Sequence, residues 1–258
     1  MPQEPFIYDR FECKQCAHKG ELDFDFTMAF QPIVDCSQQK VFGYEALVRG
    51  LNNESAFSII SKVDDDNRYL FDQLCRVKAI ALASELGLEG ILSINFLPNA
   101  VYKPERCIRT TLDAAKKHQF PLERIMFEFT EVEKIEDSNV VLNIVDFYRG
   151  AGFITAIDDF GSGYSGLNLL ADFQTNIGKF DMELIRNVDT DSNRQAILRN
   201  CIQLFKDLNI TPLAEGIETQ AEFQWLKAEG VSLMQGYYFA KPGFQSLPPV
   251  DLTLLTSQ

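Results

Sequence analysis

The sequence predicts an irregular α/β barrel of the TIM-like (β/α)8 type, in which the first strand runs antiparallel to its neighbour. Strand-like apolar runs alternate with helix-period runs along most of the chain, which is typical of a mainly parallel sheet. Eight strands in about 215 residues fit a closed barrel better than an open doubly wound sheet, the alternative fold. Only "CSQQ" separates the first two runs, and this link is too short for a helical crossover.

The elements follow in order along the chain. Strands are predicted at residues 27–35, 40–50, 91–98, 125–131, 153–160, 177–181, 211–218 and 233–240. Helices are predicted at 70–88, 138–150 and 192–208, where apolar residues recur at helical spacing. The first helix also carries Asp72 and Arg76 at i,i+4. The chain therefore divides into a short N-terminal segment, 1–26, and one domain, 27–258.

Composition narrows the function classes. The chain has 37 acidic and 24 basic residues and a net charge of −13, which argues against nucleic-acid binding, because that needs a basic surface. The same excess of acids favours a metal-bridged phosphate over one held by Lys and Arg. No apolar run reaches about 18 residues, and the first residues lack the pattern of a signal peptide. The expected location is cytoplasmic, with no membrane contact of the chain's own.

Acidic and amide side chains recur near the C-terminal ends of the predicted strands. They include Glu45, Asn95, Glu128 with Glu131, Asp158 with Asp159, Lys179 with Asp181, Glu215 with Glu218, and Gln235. In a β/α barrel these strand ends form one rim, where barrel enzymes carry their chemistry. A single acid at a strand end is more often a turn or N-cap residue, but recurrence at strand after strand predicts a convergent site.

The adjacent acids of "AIDDFGSGYSG" form the centre of that site. If the strand ends at Asp158, Asp159 can turn back, and both carboxylates can then face one metal cluster. Oxygen ligands without a His or Cys cluster favour Mg²⁺ or Mn²⁺ over Zn²⁺. His18 and His118 lie outside these motifs, which disfavours a His-rich zinc hydrolase. Five or six carboxylates with one amide suffice for two ions about 3.5–4 Å apart.

Seven segments, taken in order, resemble the EAL domain. They are "YEALVRG", "SINFLPN", "FEFTE", "AIDDFGSGYSGL", "KFD", "AEGIET" and "QGYYFAKP", between about residues 27 and 242. "SINFLPNAVY" and "KFDMELIRNVD" are most similar to EAL domains attached to blue-light-sensing flavin modules. The resemblance implies a phosphodiesterase specific for cyclic di-GMP, which hydrolyses one phosphodiester of the ring to give linear pGpG and so lowers this bacterial second messenger.

The resemblance also implies roles for the matching residues. Two Mg²⁺ or Mn²⁺ ions would be held by Glu45, Asn95, Glu128, Asp158, Asp159 and Glu215. The catalytic set would be Lys179, Glu215, Asp159 and Glu131, in which Lys179 orients the attacking water and Glu131 holds the loop after "DDFGSG". The substrate-binding set would be Gln31, Arg49, Asp181, Glu218, Gln235 and Pro242. Gly50, Gly178 and Phe180 depart from the family pattern, which leaves every ligand in place but can alter the packing of guanine.

The expected partners are cyclic di-GMP and a second copy of the chain, because EAL domains commonly form homodimers. A non-catalytic cyclic di-GMP receptor is the main alternative. Such receptors usually lose a metal-binding acid, the lysine or the loop motif, and none of these is missing here. A third reading is an interaction protein that antagonises a transcriptional repressor, which no sequence feature requires.

A separate motif, "CKQCAH", brings Cys13, Cys16 and His18 together in the N-terminal segment. Such spacing is half of a zinc site or a redox pair, and Cys36 is a candidate fourth zinc ligand. We favour a plain structural turn here over Zn²⁺, and Zn²⁺ over a redox switch. The four cysteines outside the motif are expected to be small buried hydrophobes.

Overall fold

A closed eight-stranded barrel forms the centre of the computed structural model, which describes residues 22–97, 107–130, 138–162, 167, 170–171 and 174–256. The barrel strands are β1 (Thr27–Asp35), β2 (Lys40–Arg49), β3 (Ile91–Phe96), β4 (Ile125–Thr130), β5 (Ile154–Phe160), β6 (Ile177–Phe180), β7 (Thr211–Ala214) and β8 (Leu233–Gln235). A two-residue strand, β9 (Gly243–Phe244), pairs with β1 outside the barrel order.

The direction of β1 makes the barrel irregular. It pairs antiparallel with both β2 and β8, whereas the neighbouring pairs from β2 to β8 are all parallel. The short link between β1 and β2 leaves no room for a crossover helix, so the predicted antiparallel pair is confirmed. Because β1 joins β2 to β8 and closes the sheet, the alternative of an open doubly wound sheet is wrong.

Helices pack around the barrel. They are α1 (Ala56–Ile60), α2 (Arg68–Glu85), α3 (Arg109–Lys117), α4 (Ser138–Gly150), α5 (Met182–Ile185), α6 (Ser192–Asp207) and α7 (Gln220–Ala228), with 3-10 turns at Leu122–Arg124 and Leu252–Leu255. Side chains fix where some of them begin: Asp191 caps α6, and Thr219 and Glu222 form a capping box on α7. Among the described residues, no helix has the length and apolar character that crossing a membrane requires.

The three predicted helices are present as α2, α4 and α6, whereas the short α1 and α5 and the longer α3 and α7 were not predicted. The buried face of α3 consists of Thr111, Ala114 and Ala115, so it lacks the large apolar residues that reveal a helical period. In α7 only Phe223 and Leu226 supply a buried apolar face. Both α3 and α7 therefore offer few large apolar residues from which a helical period could be recognised in the sequence.

Two groups of buried apolar side chains stabilise the fold. The larger group lies between the barrel and its helices and includes many aromatic rings. The smaller group lies inside the barrel, where the parallel strands begin, and we call it the apolar floor; it consists of Ile33, Met126, Ala156, Ile177, Leu213 and Leu233. These side chains fill the lower part of the barrel, so the interior is a packed core there rather than a pore.

The described end of the N-terminal segment packs on α2. The rings of Phe24 and Phe26 lie 6.2 and 5.0 Å from that of Phe71, and Asp25 forms a 2.6 Å ion pair with Lys78. Residues 22–26 therefore pack against helix α2 on the outside of the barrel.

The cysteines divide between described and undescribed parts of the chain. Cys13 and Cys16, with His18, lie outside the described residues, so the reading of that motif stays a prediction. Cys36, Cys75 and Cys107 are buried free thiols, as expected. The expectation of burial holds only in part for Cys201, which is half-buried.

Candidate active site

The barrel interior changes from apolar to charged over a step of two residues. Side chains two apart on a strand point to the same side, so the residue two positions beyond each floor residue also faces inward. The pairs, floor residue first, are Met126 and Glu128, Ala156 and Asp158, Ile177 and Lys179, Leu213 and Glu215, and Leu233 and Gln235. On the antiparallel β1 the order reverses, and Gln31 precedes Ile33. We call this upper set, together with Glu45, Asn95 and Asp159, the polar layer.

Lys179 lies at the centre of the polar layer. Its side chain is 1% exposed, and its Nζ is 2.7 Å from Glu215 Oε1, 2.8 Å from Glu128 Oε2 and 2.9 Å from Asp158 Oδ1. Glu45 Oε2 is 3.8 Å away. Burial disfavours the charged ammonium, but the carboxylates outweigh burial and raise the pKa of Lys179 well above its ordinary value. The lysine is thus a fixed positive charge among four acids.

Amide and hydroxyl groups hold two of the acids in place. Glu45 accepts hydrogen bonds from Asn95 Nδ2 at 2.8 Å and from Gln235 Nε2 at 3.0 Å, one on each carboxylate oxygen. Ser93 Oγ donates to Glu128 Oε1. Sequence reasoning did not include Ser93, although its position two residues before Asn95 places it on the same face of β3.

The backbone at Asp159 explains how two adjacent acids reach one site. The strand does not end at Asp158: β5 continues to Phe160, where the strand predicted at residues 153–160 also ends. Asp159 instead adopts a φ of 55°, a left-handed conformation that Asp tolerates better than most residues, and the register with β6 shifts after Ile157. As a result, one carboxylate oxygen from each of Asp158, Asp159 and Glu215 lies within 4.8 Å of the others.

The acids of the polar layer outnumber its one lysine, and this excess alters their protonation. Burial raises the pKa of Glu128 and of Glu215, Lys179 opposes the rise, and neighbouring acids add to it. Burial and the neighbouring Asp158 raise the pKa of Asp159 to about 6.

The donor set fits divalent cations. Glu128 Oε2 and Asp158 Oδ1 are buried and lie 2.8 and 2.9 Å from Lys179 Nζ. Within the described part of the chain, neither oxygen has a hydrogen-bond donor besides this ammonium. Such oxygens have lone pairs available for a cation. Carboxylate and amide oxygens are the ligands that Mg²⁺ and Mn²⁺ prefer, and a cation would offset the excess negative charge.

Three residues predicted to bind substrate lie together at the rim. Arg49 pairs with Thr27 across β1 and β2, and its Nη1 donates to the carbonyl of Val48 at 2.7 Å. Gln31 lies opposite Glu45 in the same ladder, and its Nε2 donates to the carbonyl of Ala240 at 3.3 Å. Pro242 immediately precedes β9, which pairs with β1 beside Gln31.

Two other predicted residues have structural partners. Asp181 caps α5 by accepting the backbone N–H of Glu183 at 2.8 Å. Glu218 forms a 2.9 Å ion pair with Arg186. Glu131 lies outside the described residues, so its role stays a prediction.

Gly178 and Phe180 face the helix layer, on the opposite side of β6 from Lys179. A Cβ on Gly178 would lie 2.3 Å from Cε2 of Phe205, and the ring of Phe180 stacks on Phe205 with centroids 4.8 Å apart. The expectation that these two departures alter guanine packing is therefore wrong, since they adjust the packing of the barrel on α6. Gly50 does lie at the rim, where its N–H bonds the carbonyl of Glu54.

A cavity of about 580 Å³ opens at the opposite end of the barrel and is lined by residues such as Asp35, Phe42, Arg149 and Thr211. It lies on the far side of the apolar floor from Lys179. Within the described residues, the group of Asp158, Asp159 and Glu215 is the only set of three or more acids, histidines or cysteines close enough to share a metal ion. The polar layer, rather than this cavity, is the candidate active site.

The fold and the polar layer define a β/α-barrel protein with an acidic, divalent-metal type of site at the carboxyl ends of its strands. The family model of the EAL domain matches residues 20–242, and the chain belongs to the EAL domain family.

Similar proteins extend this finding. A crystal structure of a standalone versatile EAL protein from Vibrio cholerae O395, in its c-di-GMP-bound form, is 72% identical, with a TM-score of 0.89 over 91% of this chain and 99% of that one. The manganese/cyclic di-GMP complex of Klebsiella pneumoniae BlrP1 is 34% identical, with a TM-score of 0.81 over 88% of this chain and 58% of that one. The probable cyclic di-GMP phosphodiesterase PdeN of Escherichia coli is 29% identical over 84% of this chain and 43% of its own length. The chain spans about half the length of the curated relatives it matches.

Proposed function

We propose that this chain hydrolyses cyclic di-GMP to linear pGpG with divalent metal ions held in the polar layer. The observation that carries the proposal is the buried Lys179, whose Nζ lies 2.7–2.9 Å from three carboxylates. Such a site suits a phosphodiester once metal ions offset the charge of the acids. Similarity supports the substrate, since the 72% identical protein binds c-di-GMP and PdeN is named a probable cyclic di-GMP phosphodiesterase.

The proposed metal content is two Mg²⁺ or Mn²⁺ ions. Their ligands would be Glu45, Asn95, Glu128, Asp158, Asp159 and Glu215. When bound, such ions lower the pKa of a water ligand and stabilise the charge that develops on the phosphate. The oxygen-only donor set supports this choice, and so does the manganese in the BlrP1 complex.

The chain's own residues have distinct roles in this proposal. Lys179 orients the attacking water and offsets the charge on the phosphoryl group; its contacts with the surrounding acids fix its position. Asn95 and Gln235 orient Glu45 from either side, so the carboxylate cannot rotate freely. At the rim, Gln31, Arg49 and Pro242 contact the outer parts of the dinucleotide, and the planar guanidinium of Arg49 suits a phosphate.

We also propose that Glu131 holds the loop after "DDFGSG". The proposed assembly is a homodimer, whose contact lies on the side of the barrel that carries this loop. Leu167 and Met182, in the segments that follow β5 and β6, are 66% and 51% exposed and are the residues we select to test the contact. Sedimentation velocity of the wild-type chain and of Leu167→Lys tests the assembly. We expect a dimer that the substitution weakens, and a wild-type monomer at all concentrations would contradict it.

Turnover of cyclic di-GMP with Mg²⁺ or Mn²⁺ tests the function itself, comparing wild type, Asp158→Asn and Asp35→Asn. Asp35 is a matched control because it is equally buried, caps the turn at Ser37 and Gln38 with one oxygen, and lies at the other end of the barrel. We expect wild type and Asp35→Asn to cleave. Asp158→Asn should lose at least about 100-fold in turnover, because removing a group that merely orients a metal ligand already costs about 10–100-fold, and replacing the ligand itself should cost more.

The outcomes separate the proposed enzyme from the receptor. Cleavage by wild type that Asp158→Asn abolishes supports the enzyme. Tight binding without cleavage, in all three proteins and with either ion, would make the chain a cyclic di-GMP receptor. Equal cleavage by wild type and Asp158→Asn would remove the polar layer from the mechanism.

A further inference from the structure

Helix α2 buries two opposite charges away from the polar layer. Asp72 and Arg76 lie one turn apart with side chains 1% and 0% exposed, and Arg76 Nη2 lies 2.5 Å from Asp72 Oδ2. Replacing a buried ion pair by apolar side chains of similar volume is often neutral or stabilising. The stability of α2 alone therefore does not account for the pair.

The hydrogen bonds of the pair leave α2 and reach both described ends of the connection between β3 and α3. Asp72 Oδ1 accepts the backbone N–H of Leu97 at 3.2 Å. Arg76 Nη1 donates to the carbonyl of Cys107 at 3.4 Å and to Thr111 Oγ1 at 3.2 Å. One buried pair thus ties the residue after β3 to the start of α3.

The end of β3 depends on this tie because it has a neighbouring strand on one side only. β3 pairs with β2 as far as Ile94, whereas its pairing with β4 continues through Asn95 and Phe96. The guanidinium of Arg76 also lies over the ring of Phe96, 5.6 Å from its centroid. Where β2 no longer pairs with β3, contacts from α2 to Leu97 and Phe96 therefore hold the last residues of β3 in place.

We infer that Asp72 and Arg76 are positioning residues, which hold the end of β3 and so set where the carboxamide of Asn95 meets Glu45. The contact they control is the 2.8 Å hydrogen bond from Asn95 Nδ2 to Glu45 Oε1. The consequence for metal binding rests on the proposed function, whereas the tethering of Leu97 does not. Groups that orient a metal ligand typically change metal affinity about 10–100-fold when they are removed.

The double variant Asp72→Leu/Arg76→Met tests the inference, because it removes both charges together and leaves neither unpaired. NMR hydrogen exchange of the Leu97 amide is measured in the metal-free protein, and Mn²⁺ affinity by calorimetry. We expect Leu97 to exchange at least about tenfold faster, since its hydrogen bond is lost, and Mn²⁺ to bind about tenfold more weakly. Asp146→Leu/Arg149→Met is the matched control, since this pair on α4 is 63% and 50% exposed, and it should change neither quantity.

A second variant keeps the inference testable where the double variant does not fold. Arg76→Lys retains the charge opposite Asp72 but lacks the planar fork that reaches Cys107 and Thr111. We expect a cooperative melting transition with Mn²⁺ affinity reduced several-fold. Unchanged Leu97 exchange and unchanged Mn²⁺ affinity in a folded double variant would overturn the inference. If wild type neither binds Mn²⁺ nor cleaves cyclic di-GMP, the proposed function fails, while Leu97 exchange still decides the tethering.

Discussion

The apolar floor and the polar layer are built by the same strands but depend on opposite physical effects. Floor residues such as Met126 and Ile177 are stabilised by burial away from water. Two residues further along, Glu128 and Lys179 are equally buried, and burial destabilises a charge unless a partner compensates it. One step of about 6.6 Å along a strand therefore separates the part that stabilises the barrel from the part that carries its chemistry.

The largest expected effect on stability follows from replacing the central lysine of the polar layer. In Lys179→Met, Glu128, Asp158 and Glu215 lose the cation that lies 2.7–2.9 Å from them. We expect the metal-free protein to lose about 4 kcal/mol in the free energy of unfolding, measured by urea denaturation, because acids are left buried without a partner. Mn²⁺ should restore part of this loss by binding the folded state.

The matched control for this lysine is Lys78→Met. Lys78 pairs with Asp25, and the two side chains are 30% and 62% exposed, so water screens the pair. The expected loss is at most about 1 kcal/mol. Equal losses in the two variants would mean that the polar layer is no more sensitive to its cation than the protein surface is.

A substitution that creates a cavity in the apolar floor tests whether the floor stabilises the barrel without taking part in its chemistry. Met126 is fully buried two residues before Glu128, and Met126→Ala should cost about 3 kcal/mol in the free energy of unfolding. Turnover well below the unfolding temperature should change only a few-fold, because every polar-layer residue is still present. Met126→Leu, which conserves volume, should cost less than about 1.5 kcal/mol. A 100-fold loss of turnover without loss of stability would show that the floor positions the acids directly.

The sequence alone predicted some members of the polar layer but missed others, and it did not predict which residues form the apolar floor. Strand periodicity and the recurrence of acids placed Glu45, Glu128 and Glu215 at one rim, because these signals are local to each strand. The left-handed Asp159 was not predicted, since its conformation depends on the register between β5 and β6. Hydrogen-bond partners were also missed: Ser93 carries no motif of its own and is identified only by its contact with Glu128.

The outward face of β6 shows a third environment on the same strand. A Cβ on Gly178 would lie 2.3 Å from the ring of Phe205, so Gly178→Ala should destabilise the fold by about 2 kcal/mol, measured by urea denaturation. Phe205→Leu should recover part of this loss by making room.

Gly150→Ala is the control for Gly178→Ala, because a Cβ on Gly150 meets nothing within 4 Å and the residue lies at the end of α4. It should be neutral or stabilising by up to about 1 kcal/mol. If Gly178→Ala is as well tolerated, β6 and α6 have room to separate. The packing of β6 on α6 would then restrict the position of Lys179 less than the short Gly178–Phe205 contact indicates.

The smallest expected effect is a dependence of the metal affinity of the polar layer on pH. A metal ion binds the deprotonated carboxylate, so binding displaces a proton wherever the pKa of the free site lies above the pH. With its pKa raised to about 6, Asp159 alone should increase Mn²⁺ affinity about tenfold between pH 5 and pH 7. The raised pKa values of Glu128 and Glu215 add to this increase and extend it to higher pH.

Calorimetry in buffers of different ionisation enthalpy measures both the affinity and the protons released. Asp159→Asn, which keeps a side chain suited to the left-handed backbone, should flatten the part of the curve near pH 6; an unchanged curve would assign that proton to another acid of the polar layer.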